Sequence, residues 1–209
     1  MISLVLAAAA AQLSVLDAER AFARLAQEKG QWTAFRATAE PGDSYLFVPD
    51  RVDALTWLEG RKDPPKSVAW WPTAAWQSCE GRSAVTTGGA LWPDGSPGYF
   101  TTLWGRGGAD SPEWRWSMDH GGPLATPRSK PATVTVRVAS CAIPQGEPVW
   151  PALSKQAGRG ALGYSSSSDN SLRVRWYVAP DKSRGFSVAL WTGRAYEIVL
   201  DDVVAAPGR

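Results

Sequence analysis

The chain has 209 residues, 44% hydrophobic and 20% charged. That excludes a disordered or fibrous polypeptide and sets the size at one large domain, or one domain with a half-sized appendage. A formal net charge of +2, with the basic residues scattered, gives no electrostatic footprint for nucleic acid. A single histidine with two cysteines cannot complete a closed zinc site of the usual kind.

The apolar stretch from Ile2 to Ala11 is too short to span a bilayer, so no integral membrane span is expected. With Ala9-Ala10-Ala11 as a small-residue cleavage site, residues 1–12 read as an export signal, although no basic residues precede the apolar run. The localisation expected on that reading is periplasmic or secreted. If the segment instead opens a helix, the protein is cytoplasmic. The cysteines follow the same division. Cys79 and Cys141 either pair as a disulfide in an exported chain or pack as two buried thiols.

Val15, Ala18, Phe22 and Leu25 recur at spacings of three and four and predict a helix. Ser14 can cap it, with Asp17 completing a capping box, and Gly30 can stop it. A second helix is expected from Trp32 to Ala39, ended by Pro41-Gly42-Asp43. A short strand follows at Tyr45 to Val48. A third helix is expected from Val52 to Glu59, capped by Asp50. From Ser67 the period changes to two. Val68, Trp70, Ala74 and Trp76 share parity, and Pro72 within that run implies an edge position or a bulge. Further strands are expected at Ser83–Trp92, Tyr99–Trp104 and Glu113–His120. On the last, simple alternation puts Trp114, Trp116, Met118 and His120 on one face and Asp119 on the other. Gly121–Pro131 reads as a joint and Thr133–Ala139 as a strand. Ile143–Leu162 is irregular, with one short helix near Ala152–Gln156. Strands at Leu172–Val178, Gly185–Trp191 and Ala195–Asp201 complete the chain. No strand–helix alternation appears, which argues against a parallel α/β sheet.

Tyr99–Gly121 and Gly185–Val203 share one pattern: an aromatic, a run ending in Leu-Trp, a Gly and Arg turn, an alternating strand and a closing Asp. The region from Thr133 onward therefore reads as a helix-poor partial repeat that extends the first sheet or covers an edge of it.

Three N-terminal helices with a short strand between the second and third, then long antiparallel strands, give an α+β class. The segments LDAERAFARLAQEKGQWTAF, SYLFVPDRVDALTWLEGR, AVTTGG, TLWGR and EWRWSMDHG resemble the nuclear-transport-factor-2-like superfamily. The nearest resemblance within it is to uncharacterised bacterial ketosteroid-isomerase-like and SnoaL-like domains. It covers residues 16–121 and implies helices packed on a strongly curved antiparallel sheet, a cone with a ligand-binding pocket. The expected division is then a signal segment at 1–12, the cone domain at 13–121, and a β-rich extension at 122–209. By analogy with the superfamily, a homodimer is expected.

His120 is the one side chain that titrates near neutrality when unperturbed, so it is the first candidate for acid–base catalysis. Tyr45 is the second, as a hydrogen-bond donor. Asp43 and Asp50 flank the same strand but do not map onto the carboxylate roles of a ketosteroid isomerase. Twelve tryptophans are the compositional anomaly. Trp32, Trp57, Trp70, Trp104 and Trp116 are candidates to line an apolar pocket. The functional expectation is a protein that binds a small apolar molecule, with isomerase-, cyclase- or hydrolase-like chemistry as its enzymatic form and no cofactor. The alternative is a non-catalytic secreted or envelope module whose tryptophans contact glycans or a protein partner.

Overall fold

A computed structural model describes residues 14–107, 111–153 and 157–207. The N-terminal export segment and most of the helix expected near Ala152–Gln156 lie outside the described residues.

The first helix, α1 (Val15–Lys29), begins on the expected capping box. The Asp17 amide donates to Ser14 Oγ at 3.2 Å, and the Ser14 amide donates to Asp17 Oδ2 at 3.3 Å. It buries Val15, Leu16, Glu19, Phe22 and Ala26. Gly30, at φ 108°, ends α1 and opens α2 (Gln31–Thr38). A Cβ there would sit 2.3 Å from the Asp63 carboxyl carbon, so this junction requires glycine on both counts. β1 (Tyr45–Phe47) pairs antiparallel with β2 (Arg51–Asp53). The third helix, α3, is shorter than expected, Ala54–Leu58, and its cap is Asp53, whose Oδ1 accepts the Thr56 amide at 2.8 Å. Asp50 does not cap it, because Arg51–Asp53 is taken into the hairpin; Asp50 pairs instead with Lys182 at 2.8 Å.

β3 (Ala69–Gln77), β4 (Ser83–Leu91), β5 (Pro97–Gly105) and β6 (Arg115–Pro123) form an antiparallel meander. The full seven-stranded sheet runs β2-β1-β6-β5-β4-β3-β7, where β7 is Thr135–Val138. The β1–β6 and β3–β7 pairings are parallel, so the sheet is mixed. A short 3₁₀ turn at Ala157–Arg159 leads to β8 (Ala161–Ser166), β9 (Leu172–Val178), β10 (Arg184–Trp191) and β11 (Tyr196–Val204). These form a separate antiparallel sheet in the order β11-β10-β9-β8. The architecture is α+β, with the helices preceding the two sheets. Among the described residues no helix is long and apolar enough to cross a membrane.

Two apolar clusters lie on opposite faces of the large sheet. On one face, Phe22 and Phe35 of the helices pack with Ala75, Ala84, Trp104 and Trp116. On the other, Trp76, Val85, Leu103 and Met118 pack against Leu172, Val174, Phe186 and Val188 of the small sheet. In the region after residue 122, β7 extends the sheet beside β3, as expected, whereas β8–β11 cover a face of the sheet rather than an edge. Cys79 and Cys141 form a disulfide that ties the β3–β4 turn to the segment after β7.

Two bulges decide which side chains face which cluster. In β3 the register shifts between Pro72 and Ala74, leaving Thr73 unpaired. Trp70 therefore faces the helices while Ala74 and Trp76 face the small sheet. In β6, Trp116 pairs with Trp104 and Met118 with Leu103, leaving Ser117 as the extra residue. This corrects the simple alternation. Trp116 packs with the helices, whereas Met118 packs with the small sheet.

Candidate functional site

A cavity of about 370 Å³ opens between α1, α2 and the large sheet and reaches round the end of β6. Phe22, Trp32, Phe35, Leu46, Trp70 and Phe100 supply its apolar wall. Its far end is lined by Tyr99, His120, Gly121, Gly122 and Arg184, the last from the small sheet. β1 pairs with β6 only through Tyr45↔Met118 and Leu46↔Asp119. Past that point β6 lacks a neighbour on the β1 side, and this gap lets the cavity extend.

Asp119 is the one carboxylate among the residues lining this cavity. The Ser117 bulge carries it to the helix side, in line with Trp116. Thr102 Oγ1 donates to its Oδ2 at 2.9 Å. Burial pushes the Asp119 carboxyl up to about 7; the Thr102 hydrogen bond opposes the rise and the charge of Glu19 adds to it. A carboxyl poised there can hold or release a proton near neutrality.

Glu19 lies deeper on the same side and is fully buried. It accepts from Trp70 Nε1 at 2.7 Å, Thr86 Oγ1 at 2.6 Å and Trp104 Nε1 at 3.2 Å. Burial raises its pKa, and these three hydrogen bonds act against the rise. Its oxygens are committed to donors in the wall, so its part is to fix the tryptophans.

His120 points to the opposite face of β6. Its ring stacks on Phe186 at 5.7 Å between centroids and meets Phe47 edge-on at 5.5 Å. It is 1% exposed, and neither ring nitrogen has a hydrogen-bond partner. Burial lowers its pKa to about 3, with the charge of Arg184 adding to the effect. At neutral pH it is an uncharged imidazole.

The other sequence candidates separate. Trp32 and Trp70 line the cavity. Trp57 stands behind Trp32, edge-on at 5.3 Å, with the Arg61 guanidinium over its ring. Trp104 and Trp116 are fully buried, and Trp116 Nε1 donates to Thr38 Oγ1 at 3.1 Å and to the Phe35 carbonyl at 3.2 Å. Tyr45 lies away from the cavity, under the Arg51 guanidinium at 3.3 Å. None of the twelve tryptophans is an exposed residue. Asp119, by contrast, is not a residue that alternation selects. Its one visible signal is its place as the closing aspartate of the repeated hairpin pattern.

No protein-family model, no curated protein and no solved structure matches the chain.

Proposed function

We propose that the protein binds a small, largely apolar molecule in the cavity between the helices and the large sheet, with Asp119 as the group that exchanges a proton or a hydrogen bond with it. The observation that carries this reading is one carboxyl, held near neutrality by burial, in a chamber of about 370 Å³ whose wall is mostly aromatic and aliphatic. A chamber of that size suits a flat molecule of two or three fused rings or a medium alkyl chain. The superfamily reading made from the sequence, a ketosteroid-isomerase-like cone, is supported by the element order and by the β2-β1-β6-β5-β4-β3 sequence of strands in the large sheet. The partial-repeat reading is supported by a second four-stranded antiparallel meander without helices of its own. As an enzyme the protein would use Asp119, not His120, to move the proton, because a neutral, stacked imidazole on the other face has no proton exchange near pH 7 to offer.

Six of the twelve tryptophans are buried and the other six are half-buried, which favours this reading over an exposed tryptophan surface for glycans. The test is titration with a neutral solvatochromic dye such as Nile red, paired with native mass spectrometry. One dye per chain is expected, with binding lost in Ala90→Phe, which fills the cavity from β4, while the thermal transition persists. Binding that survives Ala90→Phe unchanged would place the ligand elsewhere and overturn the reading.

A further inference from the structure

The far end of the cavity differs chemically from the rest of it. Tyr99, His120 and Arg184 line it together. The Tyr99 hydroxyl, both His120 nitrogens and Arg184 Nε are buried without hydrogen-bond partners. Polar groups left so cost about 1–3 kcal/mol each, and a fold carries such a cost where a partner completes them. Charge is unbalanced here as well. Arg128 faces Asp202 at 3.7 Å, and Asp202 also accepts from Thr101 Oγ1 at 2.6 Å. Arg184 has no carboxylate within ion-pairing distance among the described residues; its Nη2 donates to the Gly121 carbonyl at 2.7 Å. One guanidinium, one phenol and one neutral imidazole therefore converge with a single uncompensated positive charge.

We infer that this end of the cavity is a subsite for the carboxylate of an amphipathic acid, whose apolar body fills the chamber between Trp32, Trp70 and Phe100. Arg184 supplies the charge, and Tyr99 Oη and one N–H of His120 supply neutral donors. The inference rests on the binding function proposed above and names its ligand class. A carboxylate fits better than a phosphate. One cation balances one negative charge, whereas a dianion would leave excess charge in the chamber that also holds Asp119. The neutral state of His120 suits a donor that adds no second cation. The small sheet then does more than cover a face, because its strand β10 contributes the residue that recognises the acid.

The experiment is isothermal titration of the full chain with 2-naphthylacetic acid and dodecanoic acid, each beside its methyl ester, in the native sequence and in Arg184→Gln. The acids are expected to bind about 10-fold or more tighter than their esters. That preference should collapse in Arg184→Gln while ester binding stays within about 2-fold, which also reports that the chamber is intact. Tyr99→Phe should reduce the acid preference in part. Equal binding of acid and ester, or a preference that survives Arg184→Gln, overturns the subsite and leaves the chamber function standing. Failure of every acid and ester to bind overturns both.

Discussion

Asp119, half-buried, and Glu19, fully buried, are two carboxyls on one side of one sheet, and their surroundings give them different parts. Glu19 is saturated by three donors, two of them indoles. Glu19→Ala would leave Trp70 Nε1 and Thr86 Oγ1 facing a void, while Trp104 Nε1 keeps its bond to Thr86 Oγ1 at 2.9 Å. A loss of about 3–5 kcal/mol is expected, read from chemical denaturation, since each stranded buried donor costs about 1–3 kcal/mol and part is recovered by relaxation. Asp119 has one donor and an open side toward the chamber. Its carboxyl holds a proton up to about 7 in the native state, whereas an unfolded aspartate releases it at about 3.9. Between those values the native state binds more protons than the unfolded chain, so stability falls as pH rises through that window and levels off above 7. Glu19 acts in the same direction, so the informative quantity is the difference between the native sequence and Asp119→Asn. The native melting temperature should drop relative to the variant from pH 5 to pH 8. A difference that stays flat over that range would mean an ordinary aspartate.

At the level of elements, helices were the most legible part of the sequence. The capping box at Ser14 and Asp17, the stripe through Phe22 and the stop at Gly30 are local signals, each tied to backbone groups that a helix end leaves unpaired. Strand positions were legible through period two, but strand faces were not. A bulge inserts one residue and reverses every assignment beyond it. Pro72 announced the bulge in β3. Nothing in the sequence announces the one at Ser117, so simple alternation puts Asp119 on the wrong side of β6 relative to Trp116 and hides the cavity carboxyl. The β3–β7 pairing was equally illegible, since parallel register leaves no turn signature between Gln77 and Thr135. The disulfide fastens this part of the fold. It bridges a sequence separation of 62 residues, and beside it the Cys79 amide donates to Ser171 Oγ at 2.8 Å, linking the large sheet to the small one. Removing the cross-link with Cys79→Ser/Cys141→Ser should cost about 4 kcal/mol if loop entropy dominates. The same shift should appear on adding reductant to the native protein and be absent in the double variant.

Over the whole molecule, the large sheet is a shared wall, and the two layers on either side of it depend on each other. Its helix face forms the chamber; its other face is closed by β8–β11 through Phe186, Val188, Leu172 and Val174. A sheet with an apolar surface on both faces cannot remain monomeric in water with one face bare. A chain ending at residue 131 would keep every helix and β1–β6, yet expose Trp76, Val85, Leu103 and Met118. It should therefore be recovered as aggregate, or as an expanded state that binds anilinonaphthalene sulfonate strongly and shows no cooperative melt. A soluble fragment with a sharp transition would instead make residues 14–123 an independent domain and β8–β11 an accessory. Phe186→Ala in the full chain probes the same interface more gently. Phe186 is fully buried and packs on His120 and Phe47, so the substitution should cost about 3–5 kcal/mol through lost contact and the void left behind. Because Phe186 stands two residues from Arg184 on β10, that variant should also weaken retention of an acid more than retention of its ester. Such joint loss of stability and acid selectivity is what distinguishes a small sheet that helps build the cavity from one that merely shields the large sheet.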